Sequence, residues 1–163
     1  MPERQIRLFG DPVLKTVTEP VTVFDGKLKD LVRDLLDTTN MEGRAGVAAN
    51  QIGSTRRVFG YHVEGQLGYV INPTVVETGG ELREIGEGCL SVPGLSFPTP
   101  RWERAVVRGV DWDNNPIVVE GEGLMAQMLQ HEVDHLDGFV YLDRLSRVHR
   151  RTALRAVRES DWF

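Results

Sequence analysis

The sequence predicts an α+β domain, a mostly antiparallel sheet with three helices set around it, and three observations lead there. Apolar residues recur at helical spacing near the N-terminal end and again late in the chain; the stretch between reads as strands; no βαβ alternation links the two kinds of element. Asp25 can cap a helix over about 27–41, where Leu28, Leu31, Val32, Leu35 and Leu36 form one apolar face. Ahead of it, residues 6–14 read as an extended arm ending in the turn Gly10-Asp11-Pro12. From Gly46 to about Trp112 the signal is β: runs at 57–63 and 68–73 are bounded by Gly, Asn and Pro, and 104–112 follows. Asp113-Asn114-Asn115-Pro116 is a hairpin turn into 117–120. A second helix should cover 121–137 and stop at Gly138, and a third, basic one should cover 147–158.

The bulk composition narrows the class. A chain of 163 residues fits a single domain over 1–163, and 40% apolar with 26% charged residues is that of a globular protein. A net charge of -5 weighs against a general nucleic-acid binder. No apolar run approaches the roughly 18 residues that cross a bilayer, so no membrane partner is expected. The stretch Met1-Pro2-Glu3-Arg4-Gln5 lacks a signal peptide's apolar core, and a cytoplasmic location is expected. Cys89 is the sole cysteine. It forms no intramolecular disulfide, which leaves a buried apolar filler, a catalytic thiol or a metal ligand.

The chemistry concentrates in His131-Glu132-Val133-Asp134-His135. Residues four apart on a helix share a face, so His131 and His135 can offer two imidazoles to one ion. Glu132, rotated by about 100°, flanks that ion as a general base. The bland alternative is two solvated histidines. A catalytic site also needs a third protein ligand and an open position. Cys89, in Glu87-Gly88-Cys89-Leu90-Ser91, is the best candidate, because His62 and His149 lack the spacing of a three-histidine site and Asp134 and Asp137 lie too close to the motif. Asp134 either anchors a histidine or the local backbone, or is a solvated helix-face carboxylate. The pattern implies a mononuclear metallohydrolase.

Three segments, Gly46-Val47-Ala48-Ala49-Asn50-Gln51, Glu87-Gly88-Cys89-Leu90-Ser91 and Gln130-His131-Glu132-Val133-Asp134-His135-Leu136-Asp137-Gly138, resemble in order and spacing the signature motifs of the peptide deformylase family. The likeness covers nearly the whole chain, and Asn72-Pro73, Arg101 and the arm at 10–14 also look familial. It implies mixed sheets packed around the motif helix. It also implies removal of the N-formyl group from the initiator methionine of new polypeptides, with formyl-methionyl nascent peptides as substrate. By the same resemblance Cys89, His131 and His135 bind one divalent ion, natively Fe(II), with Zn(II), Ni(II) or Co(II) also accommodated. Glu132 moves the proton, while Gln51 and the Leu90 N–H receive the developing oxyanion. Ala45, Gly46, Leu124, Met128 and Gln127 are candidates for the methionine pocket, although Leu124 and Met128 read equally well as core. Gly46 can also pair with an extended peptide by strand addition.

The family pattern breaks at Arg44, where a bulky cation replaces a glycine. It is either a solvated arginine or a partner for a peptide carboxylate. Six arginines, 144, 147, 150, 151, 155 and 158, crowd the C-terminal stretch. They form either a solvated face or a surface for the ribosome's phosphates. The chain is expected to be a monomer. A metalloendopeptidase and a metal-keeping peptide-recognition protein stay open as competing functions.

Overall fold

The computed structural model describes residues 3–163; Met1 and Pro2, the first two residues of the stretch read for a leader, lie outside them. Helix α1 spans Gly26–Thr39, and the Asp25 carboxylate accepts the Leu28 N–H at 3.0 Å, as its cap role requires. Leu28, Val32 and Leu35 are fully buried, while Leu31 and Leu36 lie at the margin of the same core. The helix stops two residues earlier than the periodicity suggests, at the C-cap Asn40.

Five strands follow in a meander, β1 (Gly46–Ala48), β2 (Val58–Val63), β3 (Gln66–Cys89), β4 (Val92–Val110) and β5 (Pro116–Glu122), each hydrogen-bonded to the next in order. Every ladder is antiparallel; the one parallel pairing among the described residues is an isolated bridge, Glu19 with Arg56. The Asp113 turn joins β4 to β5 as expected, with Asn114 at φ 63° and Asp111 Oδ1 accepting the N–H groups of Asp113 and Asn115.

Strands β3 and β4 run far beyond the segments 68–73 and 104–112 that the sequence marks. Together they make a long bent hairpin with register shifts between Ile71/Thr74, Val75/Glu77, Gly79/Leu82 and Gly88/Cys89. The added lengths are glycine-rich, charged and largely exposed, so they lack an alternating apolar signal. Pro98 and Pro100 are tolerated because β5 pairs only with Arg104–Val110, leaving the earlier part of β4 a free edge on that side.

Helix α2 spans Gly123–Leu136; Gly121 and Glu122, expected to be helical, still pair with β4, and the chain turns at Gly123 with φ 57°. Gly138, at φ 86°, ends the helix against the Lys15 carbonyl, where a Cβ would sit 2.8 Å from the oxygen. Helix α3 spans Arg147–Arg158, capped by Ser146. None of these helices is long and apolar enough to cross a membrane.

The larger core joins α1, α2 and the sheet around Phe59, Ile71 and Leu129. A second cluster of Val92, Val140, Tyr141, Leu142, Leu145, Ala153 and Val157 sits under the β3–β4 turn and carries α3. The N-terminal arm closes over both through Arg7 N–H to Gln51 O (2.7 Å) and Phe9 N–H to Ser91 O (2.8 Å), then enters a 3₁₀ turn at Pro12–Lys15.

Candidate metal centre

Helix α2 is buried along the segment 128–136, so its histidines point into protein rather than solvent. His135 Nε2 lies 3.2 Å from His131 Nε2 and 3.3 Å from Cys89 Sγ at the end of β3. The three donor atoms all fall within 4.8 Å of one another. Around a tetrahedral ion with bonds near 2.0–2.3 Å, adjacent N and S donors stand about 3.3–3.6 Å apart. The two spacings at His135 lie close to this. Soft thiolate with two imidazoles is a donor set suited to Fe, Zn, Ni or Co in the divalent state.

Tautomers follow from the flanking contacts. His131 Nδ1 sits 2.7 Å from Glu87 Oε2, so a proton on Nδ1 donates to the carboxylate and leaves Nε2 free for an ion. Without a metal, burial opposes a charge on His131, yet Glu132, Cys89 and Glu87 together lift its pKa well above the ordinary value. His135, buried and facing that charge, is pushed well below. The anionic surroundings thus call for one positive charge at the centre, the place a divalent ion would take.

Glu132 is buried, its Oε1 has no hydrogen-bond partner, and its Oε2 stands 3.9 Å from His131 Nε2. Burial pushes its carboxyl up to about 7, with Glu87 and Asp134 adding to the rise and His131 and Arg101 opposing it. Gln51 is held by two contacts: its Oε1 accepts the Ala48 N–H at 3.0 Å, and its Nε2 donates to Ser91 Oγ at 3.0 Å with Cys89 Sγ at 3.7 Å.

A cavity of about 480 Å³ opens beside this group. Ala45, Gly46, Leu90, Leu124, Gln127 and Met128 all line it, together with Gln51, Cys89, His131 and Glu132. Every site residue read from the sequence is therefore brought to one place. Arg44 also reaches the rim, but it is neither solvated nor free: Nη1 donates to Thr38 O at 2.7 Å, in the last turn of α1, and lies 3.5 Å from Glu3. A cation there meets the helix's carbonyl end favourably.

The family model for polypeptide deformylase matches residues 3–151. The chain belongs to that family. It is similar to a peptide deformylase of Acidothermus cellulolyticus, 48% identical over 162 residues that span 99% of this chain and 89% of the relative. A peptide deformylase 1 of Corynebacterium efficiens is 44% identical across 100% of this chain and 99% of its own. Among solved structures, the peptide deformylase of Thermus thermophilus superposes with a TM-score of 0.88 at 41% identity, covering 96% of this chain and 93% of that one.

Two groups of this deformylase-family site escape a reading of the sequence. Glu87 stands there only as part of a motif, yet it holds His131; buried, it is nonetheless brought down to about 2 by hydrogen bonds from Arg101 and His131. A carboxylate two positions from the cysteine on one strand is the signal available. The Asp134 carboxylate anchors neither a histidine nor the local backbone and is not a solvated helix-face group, contrary to each alternative expected of it. Its carboxylate takes Arg101 Nη1 at 2.8 Å and Arg144 Nη2 at 2.8 Å, so its link to the metal ligands runs through Arg101 and Glu87.

Proposed function

We propose that this chain hydrolyses the N-formyl group of formyl-methionyl peptides as they leave synthesis in the cytoplasm, releasing formate and a free amine. The observation that carries the proposal is the convergence of Cys89, His131 and His135 beside an unpaired buried carboxylate oxygen on Glu132, with Cys89, His131 and Glu132 on the wall of one cavity and His135 buried behind them. A divalent ion held by the three donors, Fe(II) in the native protein, would supply Lewis acidity, making a water acidic near neutral pH and polarising a carbonyl oxygen.

The chain's own groups do the rest. Glu132 takes a proton from the attacking water at Oε1 and returns it to the departing nitrogen as the C–N bond breaks. Its pKa near 7 suits both directions of transfer. Gln51 Nε2, fixed by Ser91, and the Leu90 N–H at the β3–β4 turn donate to the formyl oxygen as negative charge grows there. Met128 and Leu124 offer apolar wall to the methionine side chain, and the free edge of β1 at Gly46, with Ala45 just before it, pairs with the peptide backbone. The exposed arginines of α3 meet ribosomal RNA phosphates, which would keep the enzyme near its substrate.

The test is formate release from a formyl-Met dipeptide by metal-loaded protein. Wild type should release it, and Glu132→Gln should lose at least about 100-fold in kcat with metal affinity kept. No formate from loaded protein would sink the proposal and favour a recognition role. Internal cleavage of unformylated peptides would favour an endopeptidase.

A further inference from the structure

Helix α2 divides two cavities. His131, Glu132 and Met128 face the first, while Asp134, Val133 and Gln130 face a second of about 600 Å³ lined also by Arg57, Trp102 and Arg144. One unbroken line of charge-assisted hydrogen bonds joins the two sides. Arg144 donates to Asp134 from Nη2 (2.8 Å) and Nε (3.1 Å), and Arg101 donates to Asp134 from Nη1 (2.8 Å). Arg101 also donates to Glu87 from Nε (2.9 Å) and Nη2 (2.7 Å), and Glu87 meets His131 Nδ1 at 2.7 Å.

Along this line Arg101, Glu87 and Asp134 are buried, whereas the Arg144 side chain is 46% exposed and lies over the Phe139 ring at 4.9 Å. The charges alternate, two guanidinium groups with two carboxylates. Arg144 neutralises Asp134, which leaves the Arg101 fork free to grip both oxygens of Glu87. Without Arg144, one guanidinium is shared between two buried carboxylates, and the grip on Glu87, hence on the His131 ring, loosens.

We infer that Arg144, acting through Asp134, Arg101 and Glu87, is a positioning residue for the metal ligand His131. The inference rests on the metal-site reading above. Outer partners of a ligating histidine commonly affect metal affinity by about 10- to 100-fold, and Asp134 and Arg144, two and three links beyond Glu87, should act more weakly, by about 3- to 10-fold.

The experiment loads wild type, Arg144→Ala, Arg144→Lys, Asp134→Asn and the α3 surface control Arg151→Ala with Co(II). It measures Co(II) affinity by chelator competition and follows the visible Co(II)–thiolate bands. Arg144→Ala and Asp134→Asn should bind Co(II) about 3- to 10-fold more weakly with altered bands. KM for a formyl-Met peptide should stay unchanged, Arg144→Lys should recover part of the loss, and Arg151→Ala should match wild type. Wild-type affinity and spectrum in a folded Arg144→Ala, or in Asp134→Asn if the alanine variant fails to fold, would overturn the inference even if Tm falls. Wild type that binds no Co(II) would instead overturn the metal reading, and this inference with it.

Discussion

Gly46 carries a constraint that belongs to Glu132. A Cβ added there would sit 2.8 Å from both Cγ and Oε2 of Glu132, so any side chain displaces the carboxylate. Gly46→Ala is accordingly expected to lower kcat by at least about 10-fold, since ångström-scale misplacement of a catalytic group can cost 100-fold. Metal affinity should hold, because Gly46 touches no ligand; wild-type kcat in this variant would show that Glu132 has room to move. At this scale the two imidazoles were legible because helical geometry fixes where residues four apart point. The Cys89 thiolate was legible because it had no partner cysteine. Glu87 was not, since its contact with His131 spans 44 residues and crosses from strand to helix. Arg44 and Asp134 were illegible for a related reason: position on an element says which way a side chain leaves the backbone, not which charge waits there.

Among the elements, the caps at Asp25 and Gly138 and the extent of α3 were readable, and the extents of α1, α2, β3 and β4 were not. Asp25 and Gly138 each act where the sequence placed a boundary signal. The β3–β4 hairpin was half missed because its outer part buries little and so carries no periodic apolar pattern. Helix α3 shows how an element can serve two ends. Its Ala153 and Val157 are buried in the cluster under the β3–β4 turn, while Arg147, Arg150, Arg151, Arg155 and Arg158 are exposed. Beyond it, Trp162 Nε1 donates to Pro93 O at 3.0 Å, beside the turn that carries Leu90. A truncation after Leu145 would therefore disturb the site as well as remove charge. Charge reversal is the cleaner probe of ribosome binding. Arg151→Glu with Arg155→Glu should abolish salt-sensitive co-sedimentation with ribosomes and leave formate release from a free dipeptide unchanged; undiminished co-sedimentation would assign these arginines to solvent.

For the molecule as a whole, the metal ligands come from two packing units. His131 and His135 ride on α2, whose apolar face belongs to the larger core, whereas Cys89 packs against the smaller cluster with Val92 and Tyr141. An ion held by all three adds a tie between the clusters to those made by the N-terminal arm, the Glu87–His131 contact and the Gln51–Ser91 hydrogen bond. Binding that favours the folded state stabilises by about 4 kcal/mol at a thousandfold excess over Kd. For a chain of this size, that corresponds to a Tm shift on the order of 10 °C. Stripping the metal with a chelator should lower Tm by this order. The loss should be uneven: amide exchange should quicken at the β3–β4 turn and in α3, where the smaller cluster loses its tie, and change little in α1 and β2. Uniform quickening across both clusters would mean that they unfold as one unit with or without the ion. An unchanged Tm would mean that the three donors hold no ion in the folded protein.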